Sequence, residues 1–414
     1  MGIRNNLKIP EHFDVWGFFP LHKRLFCGII LLLLFVFRGF EMKKSVIKAL
    51  CVILCLVAAL SSGLNTVSLA YAKDTEQEKF EKRAEEILET MTLSEKIAQM
   101  LIVNIPENAK EVQKEKQYGG YLLFASTFKN SNKDKIKNKI KGFQNVSKIN
   151  MFIAVDEEGG SIVRISKYKQ FRKKPYKSPR TVYKNGGWKG IKNDAKNKSD
   201  FLKSLGINTN FAPVADVAYN KNNFIYNRSF STNVNSTSKF VKLTVKEMNN
   251  KKCVSSLKHF PGYGNNGDTH KNVIVDKRSK KTFQTRDLKP FKEGIKADAP
   301  MIMVSHNVVK CFDKKNTASM SKKVHDYLRK DMGFNGIIIT DGLAMEGVRK
   351  KYGSNAEIAV KAVKAGNDML CTPYGAVSIN AIKKAVDSGE IKETRIDESV
   401  KRILIVKLKY GIIK

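Results

Sequence analysis

At 414 residues with 42% hydrophobic content, the chain is too long for one small domain and apolar enough to fill a large core. Its formal net charge of +36 is extreme, and a chain so basic attracts polyanions. The lysines are scattered, without an RNA-module signature or zinc-finger spacing, which argues against a nucleic-acid partner.

Residues 1–72 carry 8 Lys/Arg and 3 Asp/Glu, so +31 of the charge belongs to the rest of the chain. Two apolar runs lie in this N-terminal part. Leu25–Phe37 follows Lys23-Arg24. A second run, from Ala49 to Leu60, follows Met42-Lys43-Lys44 and leads to the small-x-small ending Ala70-Tyr71-Ala72. A charged start, an apolar middle and that ending make a secretory signal. Each run is shorter than the ~20 residues of a spanning helix. The expectation is an upstream extension over 1–41, a signal peptide over 42–72 and a mature chain from Lys73, extracellular or associated with the cell wall. Membrane attachment is expected only if an apolar run is retained.

Residues 73–91 have a polar, helical pattern and form a lead-in. Thr92-Leu-Ser-Glu95 is a capping box that opens a helix. Eight short apolar runs then alternate with longer mixed segments: Met100–Ile105, Tyr121–Phe124, Met151–Val155, Thr209–Val217, Val254–Leu257, Met301–Val304, Gly336–Ile339 and Asp368–Leu370. Continuous apolar runs predict strands buried on both faces, and eight of them predict a closed (β/α)8 barrel of the TIM type. Residues 164–203, with 14 Lys/Arg and 2 Asp/Glu, form a long basic excursion after the third run. Ser354-Asn-Ala-Glu357 is a second capping box, with Gly366 as the helix stop. Asp397 is expected to cap the last helix, which carries Val400, Ile403, Leu404 and Leu408 on one face and stops at Gly411. No linker divides residues 92–414, which are expected to form one catalytic domain without a C-terminal α/β sandwich. Cys253, Cys311 and Cys371 show no C-x-x-C spacing and are expected to be free thiols.

Such barrels carry their sites at the C-terminal ends of the strands. Reactive residues fall there repeatedly: Asp156-Glu157-Glu158-Gly159-Gly160 with Arg164, then Asp216, Lys258-His259, Ser305-His306-Asn307 and Thr340-Asp341. Charged groups at one end of buried strands are costly unless they pair or function. Glycoside hydrolysis needs a carboxylate on one side of the sugar and a proton donor on the other. Asp341 is an isolated acid behind an apolar run, and Gly342 leaves room for a ligand. Asp268-Thr269-His270 places an imidazole two residues from a carboxylate, a pairing suited to acid–base work near neutral pH.

These residues resemble family 3 glycoside hydrolases, in particular the β-N-acetylglucosaminidase branch, over roughly residues 90–414. The likeness rests on Gly119-Gly120-Tyr-Leu-Leu-Phe124, Ala154-Val-Asp-Glu-Glu-Gly-Gly160 with Arg164, Asn210-Phe-Ala-Pro-Val-Ala-Asp216, Asn227-Arg-Ser-Phe230, Lys258-His-Phe-Pro-Gly262 and Ile339-Thr-Asp341. The resemblance implies a retaining, two-step mechanism without cofactor or metal. It makes Asp341 the nucleophile and His270, held by Asp268, the acid–base group. It assigns Asp156, Arg164, Arg228, Lys258 and His259 to holding a β-linked N-acetylglucosamine unit. Three departures stand out: Gly342 replaces a second acid, Tyr263 stands where His or Leu is usual, and the loop Gly264–Asp268 is one residue short. Peptidoglycan or chitin-type fragments are the expected substrates, and an anionic cell wall is a candidate partner. The rival readings are a family 3 β-glucosidase, a non-catalytic wall-binding relative, and a metal-dependent hydrolase using His259, His270, His306 and Asp341.

Overall fold

The computed structural model describes residues 75–269 and 272–414. The extension, the signal-like segment and His270 therefore lie outside the described residues. Contacts single out Gln77–Lys414 as one compact unit. Its first part, residues 77–89, is helical as the lead-in pattern predicts. The Thr92 hydroxyl accepts from Glu95 N–H while the Glu95 carboxylate accepts from Thr92 N–H, and this reciprocal cap starts helix α1 (Leu93–Gln99).

All eight apolar runs become strands of one parallel sheet: β1 (Leu101–Asn104), β2 (Gly120–Leu123), β3 (Phe152–Val155), β4 (Thr209–Asn210), β5 (Val254–Phe260), β7 (Met301–Val304), β9 (Ile337–Thr340) and β10 (Leu370–Thr372). Two short strands, β6 (Val275–Asp276) and β8 (Val308–Val309), pair with each other outside it. Within the sheet each strand is hydrogen-bonded to the next in sequence, and β10 returns to β1 with Leu370 opposite Leu101. A parallel bridge between Ile339 and Met369 joins β9 to β10 and closes the ring. Residues of β2, β3, β5, β7 and β9 are buried along their whole lengths, which is why these segments carry no alternating pattern. Gly119 permits the tight entry to β2, since a Cβ there would sit 2.0 Å from the Gln99 carbonyl oxygen.

Helices cover the outside. They include α2 (Lys133–Gln144), α3 (Pro179–Ser204), α4 (Val234–Asn250), α5 (Leu288–Ile295), α6 (Asn355–Ala365), α7 (Gly375–Asp387) and α8 (Glu393–Lys409). The Ser354–Glu357 box caps α6, and Gly366 ends it in the left-handed conformation at φ 117°. The basic excursion resolves into a loop and then α3, which is interrupted at Gly187. One expectation fails. Asp397 does not cap α8, because the helix begins a turn earlier, after Lys392, and Asp397 instead pairs with Lys96 of α1 at 2.8 Å. A cationic partner on the neighbouring helix, rather than the backbone amides, takes the carboxylate. Cys253, Cys311 and Cys371 are free, with Cys253 and Cys371 buried. Among the described residues no helix is long and apolar enough to cross a membrane.

Candidate active site

The C-terminal ends of the strands surround a cavity of about 500 Å³. Asn104 of β1, Leu122 of β2, Met303 of β7 and Cys371 of β10 contribute to its wall, together with the polar residues that follow β3, β4 and β9 and end β5. Six of the residues singled out in the sequence meet here: Asp156, Arg164, Arg228, Lys258, His259 and Asp341. Asp268 is exposed.

One side of the cavity is a connected cluster of charge. Lys258 Nζ lies 2.7 Å from Asp156 Oδ1 and 2.6 Å from Glu158 Oε1. Arg228 grips Glu158 with two parallel bonds, Nη2 to Oε1 at 2.7 Å and Nε to Oε2 at 3.0 Å. Arg164 approaches the other oxygen of Asp156 at 3.6 Å. Burial opposes the charged form of Glu158, but Lys258 and Arg228 overcome it and hold its carboxyl far below the usual glutamate range. Burial likewise works against the Lys258 ammonium, and Asp156 with Glu158 reverses that and raises its pKa.

His259 is held from two directions. Its Nδ1 faces Asp216 Oδ2 at 2.7 Å and its Nε2 faces Arg228 Nη2 at 3.1 Å. A carboxylate accepts and a guanidinium donates, so the bonding assigns the proton to Nδ1 and the lone pair to Nε2. Asp216 also accepts the backbone N–H of His259 and of Tyr263, at 3.0 and 2.7 Å. Tyr263 presents its ring edge-on to His259 and bonds through its hydroxyl to Thr269 Oγ1 at 2.6 Å.

Asp341 stands beyond this cluster, on the loop leaving β9. Burial disfavours its charge. The fields of His259, His306 and Lys258, with the Gly342 N–H donating at 2.7 Å, more than offset that, and its carboxyl sits below the ordinary aspartate value. His306 is fully buried beside the loop, with Nδ1 2.7 Å from the Ser319 hydroxyl and Nε2 3.1 Å from the Gly342 carbonyl. Both nitrogens of His259 and of His306 are thus engaged with protein groups. Neither offers a free lone pair beside Asp341, which weighs against the metal-site reading.

Glu158 and Asp216 are legible in the sequence as acids at strand ends and Tyr263 as a departure just beyond β5, but the sequence assigns none of the three a role in the site. Glu157, between two cavity acids, turns the other way. It is fully buried and its carboxylate accepts the backbone N–H groups of Arg164 and Ile165, both at 2.9 Å, and the Ser166 hydroxyl at 2.5 Å.

The glycosyl hydrolase family 3 N-terminal domain model matches residues 92–406. The chain belongs to glycosyl hydrolase family 3. It is 29% identical to β-hexosaminidase A of Pseudoalteromonas piscicida over 74% of this chain and 56% of that protein. It is also 29% identical to a β-hexosaminidase of Psychromonas ingrahamii, over 73% of this chain and 88% of that one. Among solved structures, a family 3 β-N-acetylglucosaminidase from Paenibacillus sp. str. FPU-7 superposes with a TM-score of 0.73 at 26% identity, covering 78% of this chain and 63% of that one. The chain thus spans little more than half of the Pseudoalteromonas relative and under two thirds of the Paenibacillus structure. The family match fits a closed (β/α)8 barrel and makes the sugar-directed reading of the cavity the one to develop.

Proposed function

We propose that this family 3 protein is an exported, retaining β-N-acetylglucosaminidase that releases terminal β-linked N-acetylglucosamine from peptidoglycan or chitin-type fragments. The observation that carries the reading is Asp341 opening on the same cavity as the Asp156–Lys258–Glu158–Arg228 cluster. Sugar hydroxyls both donate and accept, and an array of alternating carboxylates and cations matches both capacities. Asp156, Arg164, Arg228, Lys258 and His259 then hold the sugar while Asp341 attacks the anomeric carbon. The bond from that carbon to the leaving oxygen breaks, and His270, paired with Asp268, supplies the proton that the oxygen takes. In the second step the same imidazole removes a proton from water, whose oxygen displaces Asp341. The role of His270 rests on the family resemblance and on the Asp268-Thr269-His270 spacing. Export rests on the signal-like pattern of residues 42–72.

The test is Asp341→Asn assayed on chromogenic β-N-acetylglucosaminide and β-glucoside, beside the parent. The parent is expected to prefer the N-acetyl sugar, and the variant to lose about 10³-fold or more in kcat while melting at the parent's temperature. A parent inactive on both sugars would reject the enzyme in favour of a binding protein. Preference for the glucoside would reject the N-acetyl specificity.

A further inference from the structure

Apart from Arg164, the basic excursion takes no part in the proposed reaction. Residues 164–203 hold 14 Lys/Arg against 2 Asp/Glu, a net of +12 out of +36 for the whole chain. Elsewhere the lysines often face carboxylates, as in the pairs of Lys96, Lys148, Lys242 and Lys322. Within the excursion, among the described residues, only Arg164 and Lys198 have an acidic partner within ion-pair distance. Lys167, Lys169, Lys173, Lys174 and Lys177 are all exposed. Lys133, Lys135, Lys137, Lys139 and Lys141 of α2 are likewise exposed and outside the ion pairs among the described residues, so what sets the excursion apart is its place beside the cavity.

The loop that carries these five lysines is both rigid and adjacent to the cavity. It leaves the cavity at Ile162 and Arg164 and returns at Tyr176, whose carbonyl accepts from Gly160 N–H at 2.9 Å. Glu157 pins its start, and the Ser166 hydroxyl joins Glu157 to Tyr176 N–H at 3.0 Å. Phe171 is buried edge-on against Phe128, and Gln170 bonds to backbone carbonyls of the segment that follows β2. The buried Phe171 ring holds the loop down while the five lysines remain exposed, Lys167 Nζ lying 5.2 Å from the centre of the Tyr168 ring. At the cavity mouth, Phe124 is 36% exposed and offers an apolar face.

We propose that the Lys167–Lys177 loop docks a polyanionic glycan, a strand that bears carboxylates alongside its N-acetylglucosamine units, and feeds its end into the cavity. The inference rests on the N-acetylglucosaminidase reading and adds the nature of the polymer beyond the cleaved sugar. Position decides the partner. A cationic surface beside a sugar cavity raises the local concentration of chains carrying both the sugar and negative charge. Single-stranded nucleic acid needs aromatic platforms for its bases, and in this loop Phe171 and Tyr176 are buried and Tyr168 is partly buried against the core.

The test replaces five residues at once, Lys167→Gln, Lys169→Gln, Lys173→Gln, Lys174→Gln and Lys177→Gln, none of which belongs to the proposed catalytic machinery. At low salt the parent should have a kcat/KM about tenfold higher on peptidoglycan strands than on the same strands with amidated carboxylates, and the variant should lose that advantage. Both proteins should cleave a small neutral chromogenic substrate within about twofold of each other, and about 0.5 M salt should bring the parent down to the variant on native strands. A variant as fast as the parent on native strands overturns the proposal. So does tighter binding of duplex DNA than of the strands at equal charge concentration. Co-sedimentation of the full-length Asp341→Asn protein with the strands reads docking without turnover. An inactive parent would then reject the enzymatic reading while the lysine dependence of binding still decides this one.

Discussion

Glu158 shows how much a single side chain carries at this site. Among the described residues it is the one carboxylate ion-paired with both Lys258 and Arg228; it is buried with Lys258, while Arg228 is partly buried. Removing its charge leaves the buried Lys258 and the partly buried Arg228 without their shared anion, with Asp156 as the remaining carboxylate on Lys258. Glu158→Gln keeps the shape and deletes the charge, so it should destabilise the fold by about 3–5 kcal/mol, the range found when one partner of a buried pair is lost. Urea unfolding of parent and variant measures this, and a loss under about 1 kcal/mol would mean that the cluster is not held together by this carboxylate. The sequence shows three acids in a row, Asp156, Glu157 and Glu158. It does not show that the first and third face the sugar cavity while the second folds a loop. That division depends on the path of residues 159–166, where Gly159 at φ 100° turns the chain so that Glu157 meets the amides of Arg164 and Ile165. Asp341 was legible because it follows the apolar strand β9, and Lys258 because it comes directly after the run Val254–Leu257 near the end of β5. Asp216 was harder to assign because its work is indirect: it orients His259 and fixes Tyr263 N–H.

At the scale of elements, strands and capping boxes were legible and the last helix was only half so. Val400, Ile403, Leu404 and Leu408 of α8 are buried as their spacing predicts. Lys407 lies among them and is fully buried too, against the usual placement of lysine. Its Nζ donates to Gln99 Oε1 at 2.7 Å and lies 5.2 Å from the centre of the Phe152 ring. Hydropathy cannot reveal this, because the residue is polar and the constraint comes from where α8 crosses α1 below the barrel. Burial pushes the Lys407 ammonium down to about 7 from its ordinary 10.5. The native state therefore binds fewer protons than the unfolded chain between those values, and this group makes the protein gain stability as pH rises through that window. Below about pH 7 both states are protonated and the full cost of burying the charge is present. Lys407→Met removes the charge and keeps the volume. Its stability relative to the parent should be greatest near pH 6 and should fall by about 3–5 kcal/mol by pH 10.5. Chemical denaturation at the two pH values reads the difference, and an offset that does not change with pH would show that Lys407 titrates normally in the fold.

For the whole molecule the dominant quantity is charge. Beyond residue 72 the chain carries +31, and like charges on a compact body repel one another more than on an expanded chain. The barrel tolerates this because its core runs around the whole ring of strands and the anions it has are used in pairs, such as Asp368 with Arg329 and Arg402 at the start of β10. The surplus in residues 164–203 lacks acidic partners for most of its cations, although Arg172 and Arg180 lie over the rings of Tyr176 and Tyr226 and Arg180 also bonds to Ser229. Raising salt from about 0.01 M to 0.15 M shortens the screening length from about 30 Å to about 8 Å, which weakens the long-range repulsion across the surface and spares the buried pairs. The melting temperature of the parent should therefore rise over that interval. The five-lysine variant should melt above the parent at about 0.01 M salt and converge with it at about 0.15 M, because it lacks part of what the salt screens. Should the variant melt lower than the parent at low salt, the five ammonium groups would be making favourable contacts within the fold, and the loop would be a structural element and not a surface kept cationic for a ligand.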